Sequence, residues 1–133
     1  MKYFVGQNIT INRKVKKEDV EKFAELSGDY NPIHLDENYA KETRFGKCIA
    51  HGMLSGAYIS SILGTEFPGK GTVYISQNLK FVRPIYIGAD IKIKLEIKDI
   101  VRDKKAVIKT EIIDCEDNLL VSGEAEVLLP QNN

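Results

Sequence analysis

Residues 51–63 read HGMLSGAYISSIL, and this stretch limits the fold more than any other. Met53, Leu54, Ala57, Tyr58, Ile59, Ile62 and Leu63 spread round most of a helical axis rather than along one stripe, and Gly64 supplies a stop. A helix that is apolar nearly all round is a buried helix. A chain of 133 residues has the length of one domain, so residues 1–133 are expected to form a single unit with another layer folded round this helix.

The second half of the chain supplies that layer. Ile91, Ile93, Leu95 and Ile97 alternate with Lys92, Lys94, Glu96 and Lys98, the period of a strand with one wet face. Further strands are expected near 72–83, 105–114 and 119–129, with a fainter one near 7–13. Pro84 and Gly88 interrupt the 79–98 region, and Asp117-Asn118 reads as a hairpin turn. Residues 15–27 form an amphipathic helix with Val20, Phe23 and Ala24 on its inner face, acidic residues in its first turn and Gly28 after its end. Asp36 can cap a shorter helix, ENYAKETR, that ends near Gly46. The expected class is α+β: a curved antiparallel sheet of about five or six strands wrapped round one long helix.

Charge excludes several functions. The 19 basic residues balance the 19 acidic ones, so no basic surface is available for nucleic acid or an anionic membrane. The run from Met53 to Leu63 is too short to span a bilayer, and the N-terminus turns polar too early for a signal peptide. Cys48 and Cys115 make no disulfide framework, which fits a reducing, cytoplasmic setting. Cys48 also lacks the loop that presents a nucleophilic thiol, and the histidine spacing is not that of a metal site, so no metal or other cofactor is expected.

One loop stands apart. Residues 27–34 read SGDYNPIH, placing Asp29 and His34 five positions apart with Asn31 and Pro32 between them. Pro32 fixes its own φ and steers Asn31 away from helical geometry, so a stiff turn holds an acid and a base together. Taken alone the string also fits an Asx-turn with a surface histidine. Its context is more specific: S-x-D-x-N-P-x-H is followed by His51-Gly52-Met53 at the start of the long helix, then Leu63-Gly64, Pro68-Gly69-Lys70-Gly71, Gln77-Asn78-Leu79-Lys80-Phe81 and Ser122-Gly123-Glu124-Ala125.

In these motifs the chain resembles the MaoC-like (R)-specific enoyl-CoA hydratases, a family with the hot-dog fold. The resemblance implies a hydro-lyase that adds water reversibly across C2=C3 of an enoyl thioester. It carries the catalytic dyad onto Asp29 and His34 and the oxyanion glycine onto Gly52, and matches Ser60 to a serine lining the active site. Asn31 would support the loop or hold the water. His51 would either touch the pocket or satisfy backbone at the helix entry. The chemistry asks for such parts: a base for the water, a proton for C2, and donors for the enolate oxygen, which free N–H groups at a helix start supply. The resemblance also implies a homodimer and an enoyl-CoA or 3-hydroxyacyl-CoA substrate; by charge and location alone, Lys70, Lys80 and Arg83 are candidates to meet the CoA phosphates. The thioester's carrier is coenzyme A or an acyl carrier protein. Two other functions suit the same fold: an acyl-CoA thioesterase and a non-catalytic acyl-CoA binding module.

Overall fold

The computed structural model describes residues 2–131. Five antiparallel strands form one sheet in the order β1-β3-β4-β5-β2: β1 (Asn8–Lys14), β2 (Val73–Phe81), β3 (Asp90–Val101), β4 (Lys105–Asp114) and β5 (Leu119–Leu128). Helices α1 (Lys17–Ser27), α2 (Pro32–Leu35), α3 (Glu37–Lys41) and α4 (Gly52–Thr65) all lie between β1 and β2 in sequence. The alternation in β3 works as expected: Ile91, Ile93, Leu95 and Ile97 are each at most 1% exposed. With Ala106, Ile108 and Ile112 of β4 and Val121, Ala125 and Val127 of β5 they share a core with Leu54, Tyr58, Ile59, Ile62 and Leu63 of α4. Each large side chain buried there contributes about 1.5–3 kcal/mol.

The long helix departs from the expectation in one respect. It is buried on one side only: Gly52, Met53, Ala57, Ser60, Ser61 and Gly64 face outward, with Met53 59% exposed. The outward residues are mostly small, so mean apolarity runs all round the axis although no side layer covers that face. The helix also continues one residue past Gly64, to Thr65, and is capped at Glu66. The short helix after Asp36 covers only Glu37–Lys41; Asp36 caps it by accepting from the N–H groups of Asn38 and Tyr39.

A polar clamp fixes α1 against α4. The buried Tyr58 hydroxyl donates to Asp19 Oδ2 at 2.8 Å, Arg13 of β1 reaches the same oxygen at 3.3 Å, and the Arg13 guanidinium lies 4.1 Å from the centre of the Tyr58 ring. Burial and the Asp19 carboxylate push the Tyr58 hydroxyl above its ordinary pKa, so it stays a donor. Gly28 then ends α1 in the left-handed conformation (φ 80°), which turns the chain into the loop that carries Asp29.

No helix among the described residues is long and apolar enough to cross a membrane.

One position is intolerant of any side chain. At Gly123 of β5, paired with Leu79 of β2, a Cβ would collide with the Asn78 carbonyl oxygen and lie 3.2 Å from Gln77 Nε2. Gly123→Ala is expected to lower the thermal midpoint by roughly 5–10 °C, read by calorimetry; an unchanged midpoint would contradict this close crossing.

Candidate active site

The SGDYNPIH loop is built from its own side chains. Ser27 Oγ donates to the Phe23 carbonyl (2.6 Å) and accepts from Asp29 N–H (3.1 Å). Asp29 Oδ1 accepts from Asn31 N–H and Asn31 Oδ1 from Ile33 N–H, each at 3.2 Å. Asn31 thereby caps α2, whose first residue is Pro32, so the stiff turn is followed by one helical turn and His34 sits on it. The Asx-turn at Asp29 is present, but His34 is half-buried rather than a surface residue.

Residues 48–51 are extended and hold the site together. Ile49 N–H donates to the Ile33 carbonyl (3.2 Å), while Ala50 N–H donates to Ile85 (2.8 Å) and Ile49 bridges Tyr86 on the other side. His34 Nδ1 lies 2.7 Å from the Ile49 carbonyl. A carbonyl only accepts, so Nδ1 carries the proton and Nε2 of the neutral ring is left as an acceptor. Burial keeps the His34 pKa below the ordinary imidazole value, with the neighbouring His51 acting the same way against the Ile49 hydrogen bond and the Asp29 charge.

His51 is 2% exposed, between Phe23 (ring centres 4.9 Å) and His34 (3.9 Å). Its Nε2–H donates to the main-chain carbonyl of Asp29 at 3.0 Å, and Nδ1 has no partner. This bond ties the start of α4 to the loop. One donor atom from each of Asp29, His34 and His51 lies within 4.8 Å of the others. Cys48, buried near Glu37, has its thiol pushed up to about 11, which leaves it inert as a nucleophile.

Gly52 opens α4. Among the described residues its N–H and that of Met53 have no acceptor, as expected for the first helical turn. A Cβ at Gly52 would lie 3.1 Å from the Phe81 ring, so glycine is needed for packing as well as for open access to the backbone. Gly52, His34 and His51 line one cavity of about 360 Å³ together with Ser55, Arg44 and Phe81. Asp29 approaches the two histidines from the exposed loop. Asn31 supports the loop as a cap and does not line the cavity.

Ser60 is elsewhere. It is exposed and lines a second, more apolar cavity of about 520 Å³ with Met53, Gly56, Tyr74, Ile75 and Leu79; Phe81 walls both spaces. Lys70 and Lys80 line neither space, whereas Arg83 lines the first. Sequence reasoning missed Ser55, Arg44 and Phe81. Ser55 is signalled by its place one turn after His51 and Gly52; Arg44 and Phe81 reach the cavity only through tertiary folding.

Residues 5–117 match the family described as MaoC like domain. A 3-hydroxybutyryl-CoA dehydratase of Methylorubrum extorquens is 39% identical over 127 residues, covering 96% of this chain and 81% of that protein. An (R)-specific enoyl-CoA hydratase of Aeromonas caviae is 39% identical over 127 residues, covering 95% of each. The solved structure of an R-hydratase from Pseudomonas aeruginosa, in unliganded form, superimposes with a TM-score of 0.94 at 40% identity, covering 98% of this chain and 84% of that one. With loop, long helix and wrapped sheet in the same order throughout, this chain belongs to the MaoC-like family of hot-dog proteins.

Proposed function

We propose that this chain, acting as one domain in the cytoplasm, is an (R)-specific 2-enoyl-CoA hydratase and, in reverse, a 3-hydroxyacyl-CoA dehydratase. The observation that carries this reading is that His34 and the open N-terminus of α4 line one cavity, with Asp29 brought against the two histidines beside it. The names of the similar proteins support it.

In the proposed reaction the thioester oxygen accepts hydrogen bonds from the free N–H groups at Gly52. Each such donor contributes about 3–4 kcal/mol as enolate charge develops. Water lies between Asp29 and His34. The Asp29 carboxylate accepts one of its hydrogens and orients it; Nε2 of His34 takes the other proton as oxygen bonds to C3. The pair of electrons from C2=C3 moves to the enolate, and His34 returns its proton to C2. Water is consumed, no net proton is released, and no redox cofactor is called for. The hydrogen bond from Nδ1 to Ile49 fixes the ring for both transfers. His51 acts by holding the Asp29 backbone, and Asn31 by holding the loop. The acyl tail passes Phe81 into the space lined by Ser60.

That second space is open in a single chain, and its cover is proposed to be a second copy. Strand β2 ends the sheet, and its Val73, Tyr74, Ile75 and Phe81 are each 38–53% exposed beside the uncovered face of α4. A long apolar edge of this kind is left bare at the cost of aggregation unless a partner pairs with it. In sedimentation velocity the protein is expected to run at twice the chain mass, and Ile75→Asp at the single-chain mass; a monomeric wild type would contradict the dimer.

The activity is tested with crotonyl-CoA, following loss of the conjugated enoyl absorbance while a thiol reagent scores free CoA. Absorbance should fall without thiol release, and Asp29→Asn and His34→Ala, folded by circular dichroism, should each be slower by roughly 100- to 10,000-fold. Thiol release would favour the thioesterase, and silence from folded wild type the binding module.

A further inference from the structure

The mouth of the cavity that holds His34 carries cations, while the Asp29 carboxylate, grouped with the histidines, lies outside its lining. Arg44 and Arg83 line it, and no carboxylate does. Among the described residues neither arginine forms an ion pair: the six salt bridges involve other cations. Asp114 feels the charge of Arg83, but lies beyond ion-pair distance. In a chain with 19 charges of each sign, two unpaired guanidinium groups on one small cavity are a local excess. Exposure also runs in one direction, from the buried His51 and half-buried His34 to Arg44 and Arg83 at the exposed rim. Both rim side chains are steadied. The Arg44 guanidinium lies 5.0 Å from the centre of the Phe45 ring, another wall of the cavity. Arg83 Nη1 donates to the Leu119 carbonyl at 2.6 Å, which leaves the rest of its donor fork free.

Resting on the hydratase reading, we propose that Arg44 and Arg83 form an anion clasp that holds a phosphate of the substrate's carrier arm at the cavity mouth. A guanidinium presents paired donors to phosphate oxygens, and charge-assisted bonds of this kind are the strong ones. The clasp acts on the far end of the thioester. It therefore raises affinity for any phosphate-bearing carrier without touching the reacting carbons. Coenzyme A and the phosphopantetheine arm of a carrier protein share one such phosphate; coenzyme A adds those of its nucleotide.

The test is steady-state kinetics with crotonyl thioesters of coenzyme A, of phosphopantetheine and of pantetheine without phosphate. The proteins are wild type, Arg44→Gln, Arg83→Gln and the conservative Arg44→Lys, with thermal midpoints checking that each is folded. Both glutamine variants should raise KM for the CoA ester by about tenfold with kcat little changed, and Arg44→Lys should restore part of the loss. Neither should alter KM for the pantetheine ester. A matching rise with phosphopantetheine supports a clasp at the shared phosphate; a rise with the CoA ester alone supports one at the nucleotide phosphates. An unchanged KM for the CoA ester, or an equal rise with the pantetheine ester, overturns the clasp. Wild type that hydrates none of the three overturns the hydratase reading and the clasp with it.

Discussion

Residues 48–51 form the joint on which the site depends. This short extended segment is bonded on one side to α2 through Ile33 and His34, and on the other to the β2–β3 connection through Ile85 and Tyr86. It ends in His51, which caps the long helix and reaches back to the carbonyl of Asp29. Three remote stretches of sequence are thus fixed by main-chain bonds and by two histidine rings that each bond to a main-chain carbonyl. Side chains held this way lose little freedom when substrate arrives, which is how a site gains precision without a large core of its own.

The same joint decides the state of His34. Because its Nδ1–H is committed to a carbonyl, the ring has one orientation and one open nitrogen. Burial disfavours its protonated form, and the neighbouring His51 acts in the same direction. The uncovered side of α4 completes the picture. Small residues there leave room on both sides of Phe81, a space beside the histidines near the helix start and an apolar one further along. A large side chain at Gly52 or Gly56 would meet Phe81 or Leu79. The face that makes the helix look buried from its composition is therefore the face that leaves open space beside Phe81.

Much of the fold was legible because its signals are local. The alternation of β3, the Asp117-Asn118 turn and Gly28 after α1 each act within a few residues, and the strands fall where these signs put them. The fainter strand near 7–13 is real, as β1, because pairing with β3 stabilises it beyond its own propensity. The turn of helix at Pro32–Leu35 was not foreseen, since proline was read as a loop former although it is also favoured at a first helical position. For the site, the loop motif and HGM named Asp29, His34 and Gly52, and the fold brings them together. Ser60 was read as lying inside a buried helix. It faces outward instead, because helical periodicity cannot say which apolar face the sheet covers. Arg44 carries no local mark at all, and Phe81, although part of a quoted motif, has nothing in its surroundings that places it at the site.

In the proposed reaction His34 is a neutral base with Nε2 open to water, and Asp29 and His51 are the titratable groups grouped with it. The most direct test is the pH dependence of kcat/KM for hydration of crotonyl-CoA. The rate should be level through neutral pH and fall only on the acid side of the ordinary imidazole value of about 6.5, as His34 takes up a proton. A rate that rises as pH is lowered through that region would mean that imidazolium is the active form and that His34 is not the base.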